Sequence, residues 1–85
     1  MPSVQELLAR MRTNPKGVRF ADAKRVYDNY FGKPRIHGSH HAYRTLWPGD
    51  PRVNIQNRGG MVSPYQARQM IAAVERVVND EYQGR

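Results

Sequence analysis

The sequence predicts an α+β fold: a three-stranded antiparallel sheet with its helices packed on one face. Three observations predict it. Apolar residues recur at helical spacing near both ends of the chain. Short extended segments, punctuated by Gly38-Ser39 and Pro48-Gly49-Asp50-Pro51, fill the middle. A length of 85 residues allows one domain only.

The elements follow in chain order. Ser3-Val4-Gln5-Glu6 is a capping-box pattern, in which the Ser3 hydroxyl takes an orphan amide and Glu6 reaches back. Val4, Leu7, Leu8 and Met11 then fall on one face of a short helix, and Asn14-Pro15 stops it. A second helix is expected from Phe20 to Phe31, with Phe20, Ala23, Tyr27, Tyr30 and Phe31 as its apolar stripe and Gly32 at its end. The aromatics of that stripe read as core and not as a platform for bases.

Lys33 to His37 is short and extended, Gly38-Ser39 is a turn, and His40 to Trp47 runs on as a second strand. Pro48-Gly49-Asp50-Pro51 has the chemistry of a reverse turn. Arg52 to Gln56 alternates polar and apolar residues, as a half-buried strand does, and Asn57 to Gly60 is a loop. The last helix is the most strongly signalled. Ser63 caps it, Pro64 takes its first position, Gln66 stands at the box position, and Ala67, Met70, Ile71, Val74, Val77 and Val78 form its apolar face. Helices gathered on one face leave the other face of the sheet open to a ligand.

Composition narrows the function classes. Fourteen Lys and Arg against seven Asp and Glu leave a net charge of +7, which favours a polyanionic partner: nucleic acid, an anionic membrane surface or an acidic protein. The membrane is the weakest of these, since the basic residues are spread along the chain. A solvated basic surface without such a partner is the bland alternative. No cysteine is present, which excludes disulfides, a thiolate nucleophile and a zinc ribbon. No apolar run is long enough to span a bilayer, and Met1 to Arg10 does not read as a signal peptide, so a soluble cytoplasmic chain is expected.

All three histidines, His37, His40 and His41, fall within five residues. Lys33, Arg35, Arg44, Arg52 and Arg58 surround them, and Asp50 is the one acid from Lys33 to Arg58. Groups that exchange protons near neutrality, beside cations that bind phosphate, suit metal-free RNA cleavage. A base removes the ribose 2′-OH proton, the oxygen attacks phosphorus, and cations stabilise the developing charge. Two other readings stand beside this one. Three imidazoles are potential metal ligands, but His40 and His41 project to opposite faces of a regular strand, so no metal site is expected. The histidines are otherwise decoration on a basic hairpin. Ser39-His40 is no triad, since neighbours in sequence do not face one another; no carboxylates pair on a shared face, and Gly59-Gly60 lacks the Lys-Ser/Thr of a phosphate loop.

The run Gly38-Ser39-His40-His41 opens a strand and continues into Tyr43-Arg44, with a helix before it and two strands and a helix after it. In this it resembles the HicA toxins of bacterial toxin–antitoxin systems, over Phe20 to Val78. The resemblance implies a fold like the double-stranded RNA-binding domain over residues 18–79, with residues 1–16 as an added N-terminal helical extension of the same single domain. It also implies metal-independent endoribonuclease activity on mRNA, no cofactor, and inhibition by a HicB-like antitoxin. The family's catalytic histidine falls on His41, and His40 takes the variable position of the motif. Lys33, Arg35, Gly38, Ser39, His40, Tyr43, Arg44 and Arg52 are then expected to bind RNA, with Tyr43 or Trp47 stacking a base if exposed. After the third strand many members carry a Pro-Arg-His-type segment. Here Gln56-Asn57-Arg58-Gly59-Gly60 stands instead, with Arg58 as the stand-in.

Hairpin register bears on this expectation. A two- or four-residue loop sets Ile36 opposite His41, on the same face, and buries the histidine if Ile36 is core. A three-residue loop or a bulge sets Arg35 opposite His41 on the open face, which is the register the catalytic reading calls for. Two rivals to the nuclease remain: a non-catalytic RNA-binding module of the same shape, and a small adaptor whose basic face docks an acidic protein.

Overall fold

The computed structural model describes residues 2–45 and 52–83. Its elements are α1 (Val4–Thr13), a single 3₁₀ turn (Pro15–Gly17), α2 (Phe20–Phe31), β1 (Arg35–His37), β2 (His40–Arg44), β3 (Arg52–Gln56) and α3 (Pro64–Gln83). The strands form one antiparallel sheet in the order β1-β2-β3, with helices before and after it in the chain. The expected α+β architecture is therefore present. The extension of the second strand to Trp47 and the Pro48–Pro51 turn lie outside the described residues. Lys33 and Pro34 precede β1 and do not belong to it.

Local chemistry sets the helix ends. The Ser3 hydroxyl accepts from the Glu6 amide and the Glu6 carboxylate accepts from the Ser3 amide, the complete capping box. Helix α2 ends at Gly32, whose φ of 80° favours a residue without a Cβ. At α3 the Ser63 hydroxyl accepts from the Gln66 amide, but the Gln66 side chain does not return to its own cap. It accepts instead from the backbone N–H of Gln56 at 2.9 Å and ties α3 to the end of β3.

One core joins the three helices to β2 and β3. Leu7, Leu8 and Met11 of α1, Ala23, Val26 and Tyr27 of α2, Tyr43 and Ile55 of the sheet, and Ala67, Met70 and Val74 of α3 are buried together. Leu7, Leu8 and Met11 thus tie the N-terminal helix to the same core. Val78, expected on the apolar face of α3, is 45% exposed, because that face turns outward beyond Val77.

Tyr43 is at the centre of this packing. It is fully buried, its ring lies 4.7 Å from that of Tyr27, and its hydroxyl donates to Asp28 Oδ1 at 2.7 Å. Lys24 bridges the other oxygen of Asp28 at 2.7 Å. Burial, with the bond and charge of Asp28 adding to it, pushes the Tyr43 phenol well above its ordinary pKa, so it stays a donor. The Tyr27 hydroxyl is also buried but has no partner among the described residues.

The two tyrosines therefore respond differently to loss of the hydroxyl. Tyr43→Phe is expected to lower unfolding free energy by about 1–2 kcal/mol, whereas Tyr27→Phe leaves it unchanged or raises it by up to about 1 kcal/mol. Urea denaturation monitored by circular dichroism checks both, and equal losses would contradict the pairing described.

Candidate functional site

The site begins with a tight turn. Strands β1 and β2 pair as Arg35↔Ala42, Ile36↔His41 and His37↔His40, leaving Gly38-Ser39 as a two-residue loop. Gly38, with φ of 59°, supplies the positive value that a hairpin turn needs at its first central position. This register differs from the one the catalytic reading called for: Arg35 lies opposite Ala42, and Ile36 faces His41.

Strand alternation then sorts the side chains. His41 and Tyr43 of β2, and Val53 and Ile55 of β3, point toward the helices, while His40, Ala42 and Arg44 point to the open face. Burial of His41 does not follow from its register, because Ile36 is not core. Among the described elements, strand β1 meets β2 alone and no helix reaches it, so Ile36 is 57% exposed. His41 is half-buried at the margin of the helix layer. Its ring meets Phe20, the first residue of α2, edge-on at 4.9 Å. Nδ1 is sealed and unpartnered, so Nε2 is the ring atom left to engage a ligand.

A hydrogen-bond chain frames the turn. The Asn57 amide donates to the Ser39 carbonyl at 3.1 Å, and Gln56 Nε2 donates to Ser39 Oγ at 3.4 Å. Arg58 donates from Nε and Nη2 to Gln56 Oε1, each at 3.4 Å. Arg58 is thereby brought to the hairpin end. The following loop is sewn to the start of α2: Phe20 N–H donates to the Gly60 carbonyl at 2.9 Å and Val62 N–H to the Val18 carbonyl at 3.0 Å.

The remaining cations gather elsewhere. Lys33, Arg35, Arg44 and Arg52, with Pro34 and Ala42, line a cleft of about 300 Å³ on the open face. The expectation of proton-transfer groups beside phosphate-binding cations is thus split for His41, since the sheet lies between that ring and the cleft. His37 and His40 share the open face with the cations, directly opposite one another across the turn. Tyr43 cannot stack a base or touch RNA, being core, and Trp47 lies outside the described residues. No group of three or more potential metal-ligating side chains forms among the described residues. No described helix is long and apolar enough to cross a membrane.

Phe20, Gln56 and Gln66 shape this site without having been singled out for it. Their signals in the sequence are ordinary: one apolar residue of a helix stripe, one polar residue of a strand, one residue of a cap. Compared with protein-family models, curated proteins and solved structures, the chain matches none.

The turn carries a definite conformational demand. A Cβ at residue 38 meets nothing within 4 Å, so Gly38→Ala is expected to cost about 1 kcal/mol from backbone conformation alone. A lowered urea midpoint with unchanged slope checks it.

Proposed function

We propose that this chain is an endoribonuclease of the HicA toxin type, a cytoplasmic enzyme that cuts mRNA with His41 as general acid or base and is inhibited by a HicB-like antitoxin. The observation that carries the reading is the placement of His41. Its ring is braced by Phe20 at the lip of the helix layer, beside a turn that also holds Ser39 and Arg58, and presents one nitrogen outward.

The chemistry asked of that nitrogen is modest. As acceptor, Nε2 takes the 2′-OH proton while the oxygen attacks the adjacent phosphorus. The 5′-oxygen leaves with the electron pair of the broken P–O bond and takes a proton from the imidazolium or from solvent. The non-catalytic RNA-binding module is favoured by a different observation, the separation of the open-face cations from His41.

Incubating the purified chain with labelled RNA in EDTA distinguishes the two. Cleavage is expected, and His41→Ala is expected to reduce it at least about 100-fold with the circular dichroism spectrum and RNA affinity retained. Binding without cleavage supports the module. A His41→Ala protein that cuts at the wild-type rate removes His41 from the mechanism.

A further inference from the structure

We propose that the open-face cleft lined by Lys33, Arg35, Arg44 and Arg52 is a phosphodiester-binding site that grips an RNA strand away from the bond being cut, and so sets substrate affinity and not the rate of cleavage. This rests on the reading of RNA as the substrate.

Four cations reach the cleft from four places: the connection after α2, then β1, β2 and β3. Ala42 forms its floor directly opposite Arg35, and a longer side chain there would fill it. Arg44 and Arg52 are direct cross-strand partners, which sets two guanidinium-bearing side chains next to one another on the face that carries Arg35. No carboxylate lines the cleft among the described residues, and neither Lys33 nor Arg35 joins an ion pair among them.

The ligand class follows from the lining. Three of the four cations are arginines, whose planar forks match phosphate oxygens two at a time. Pro34 and Ala42 are the sole apolar walls among the described residues, too small to anchor the aromatic or large aliphatic residues around which protein interfaces form. A nucleic-acid backbone needs no such anchor.

Position gives the division of labour. The cleft and His41 lie on opposite faces of the sheet, so these cations do not touch a phosphate reacting at Nε2. The margin between the faces is β1, three residues long and uncovered by any described helix. A single strand passing around that margin reaches both. Contacts this far from the reacting bond that bind ground and transition states alike move KM and leave kcat.

The test uses the full chain and a fluorescent single-stranded RNA of about twelve nucleotides. In a His41→Ala background in EDTA, anisotropy titrations at several salt concentrations compare the Lys33/Arg35 pair with Lys33→Ala/Arg35→Ala. The double variant is expected to bind about tenfold more weakly, with the slope of log K against log salt shallower by about 1.4. With His41 restored, the double variant is expected to raise KM by a similar factor, with kcat within about twofold. Unchanged affinity and slope, or a fall in kcat with KM constant, would overturn the proposal. So would inorganic phosphate or poly-glutamate competing as well as unlabelled RNA at equal charge concentration. If the chain binds RNA through Lys33 and Arg35 but never cuts it, the cleft stands and the nuclease reading falls. Cutting with no effect of the double substitution gives the reverse.

Discussion

The contact of Tyr43 with Tyr27 and Asp28 decides the parity of the central strand. Side chains along a strand alternate, so once Tyr43 is inserted under α2 the whole of β2 has no freedom of face. His41, two residues earlier, must point toward the helices, and His40, Ala42 and Arg44 must point away. A one-residue slip that turned His41 to the open face would expose the Tyr43 ring and bury Arg44 without compensation, at a cost of several kcal/mol. The separation of His41 from the cleft cations is therefore a consequence of core packing.

What keeps His41 from disappearing into that core is the uneven cover of the sheet. Helix α2 is pinned over β2 by the Asp28–Tyr43 bond, and α3 is pinned to the end of β3 by Gln66. The backbone bonds from Phe20 to Gly60 and from Val62 to Val18 draw the start of α2 toward the β3 side as well. Strand β1 is left with β2 as its sole neighbour among the described elements, and the ring opposite it is sheltered on one side and open on the other. Shelter holds the orientation of the imidazole, and openness gives its outer nitrogen something to do.

The helices are legible in the sequence because their signals are local. The Ser3–Glu6 box, the stripe from Phe20 to Phe31 and Ser63-Pro64 each act within a few residues, and Arg52–Gln56 is legible from its alternation. The site is less legible because its geometry depends on long-range choices. Tyr43 could stack a base or enter the core on local grounds alone, and only Tyr27 and Asp28, on another element, decide it. Likewise Gln66 reads as a cap residue, while its bond to Gln56 depends on where α3 crosses β3.

The unpartnered Nδ1 of His41 bears on how one histidine would serve both halves of a transesterification. In many sites a carboxylate or carbonyl holds one ring nitrogen in a single protonation state, which fixes the tautomer. Here Nδ1 has no partner among the described residues, and Phe20 holds the ring by its edge. A proton on Nδ1 is an unsatisfied donor, and a bare Nδ1 is an unsatisfied acceptor, so burial penalises both neutral forms and favours neither through a hydrogen bond. Packing sets where the ring points, and no hydrogen bond at Nδ1 sets which nitrogen is protonated. Nε2 accepts the 2′-OH proton when the neutral ring carries its own proton on Nδ1, and the imidazolium so formed returns a proton from Nε2 to the 5′-oxygen, so Nδ1 keeps its proton through both steps.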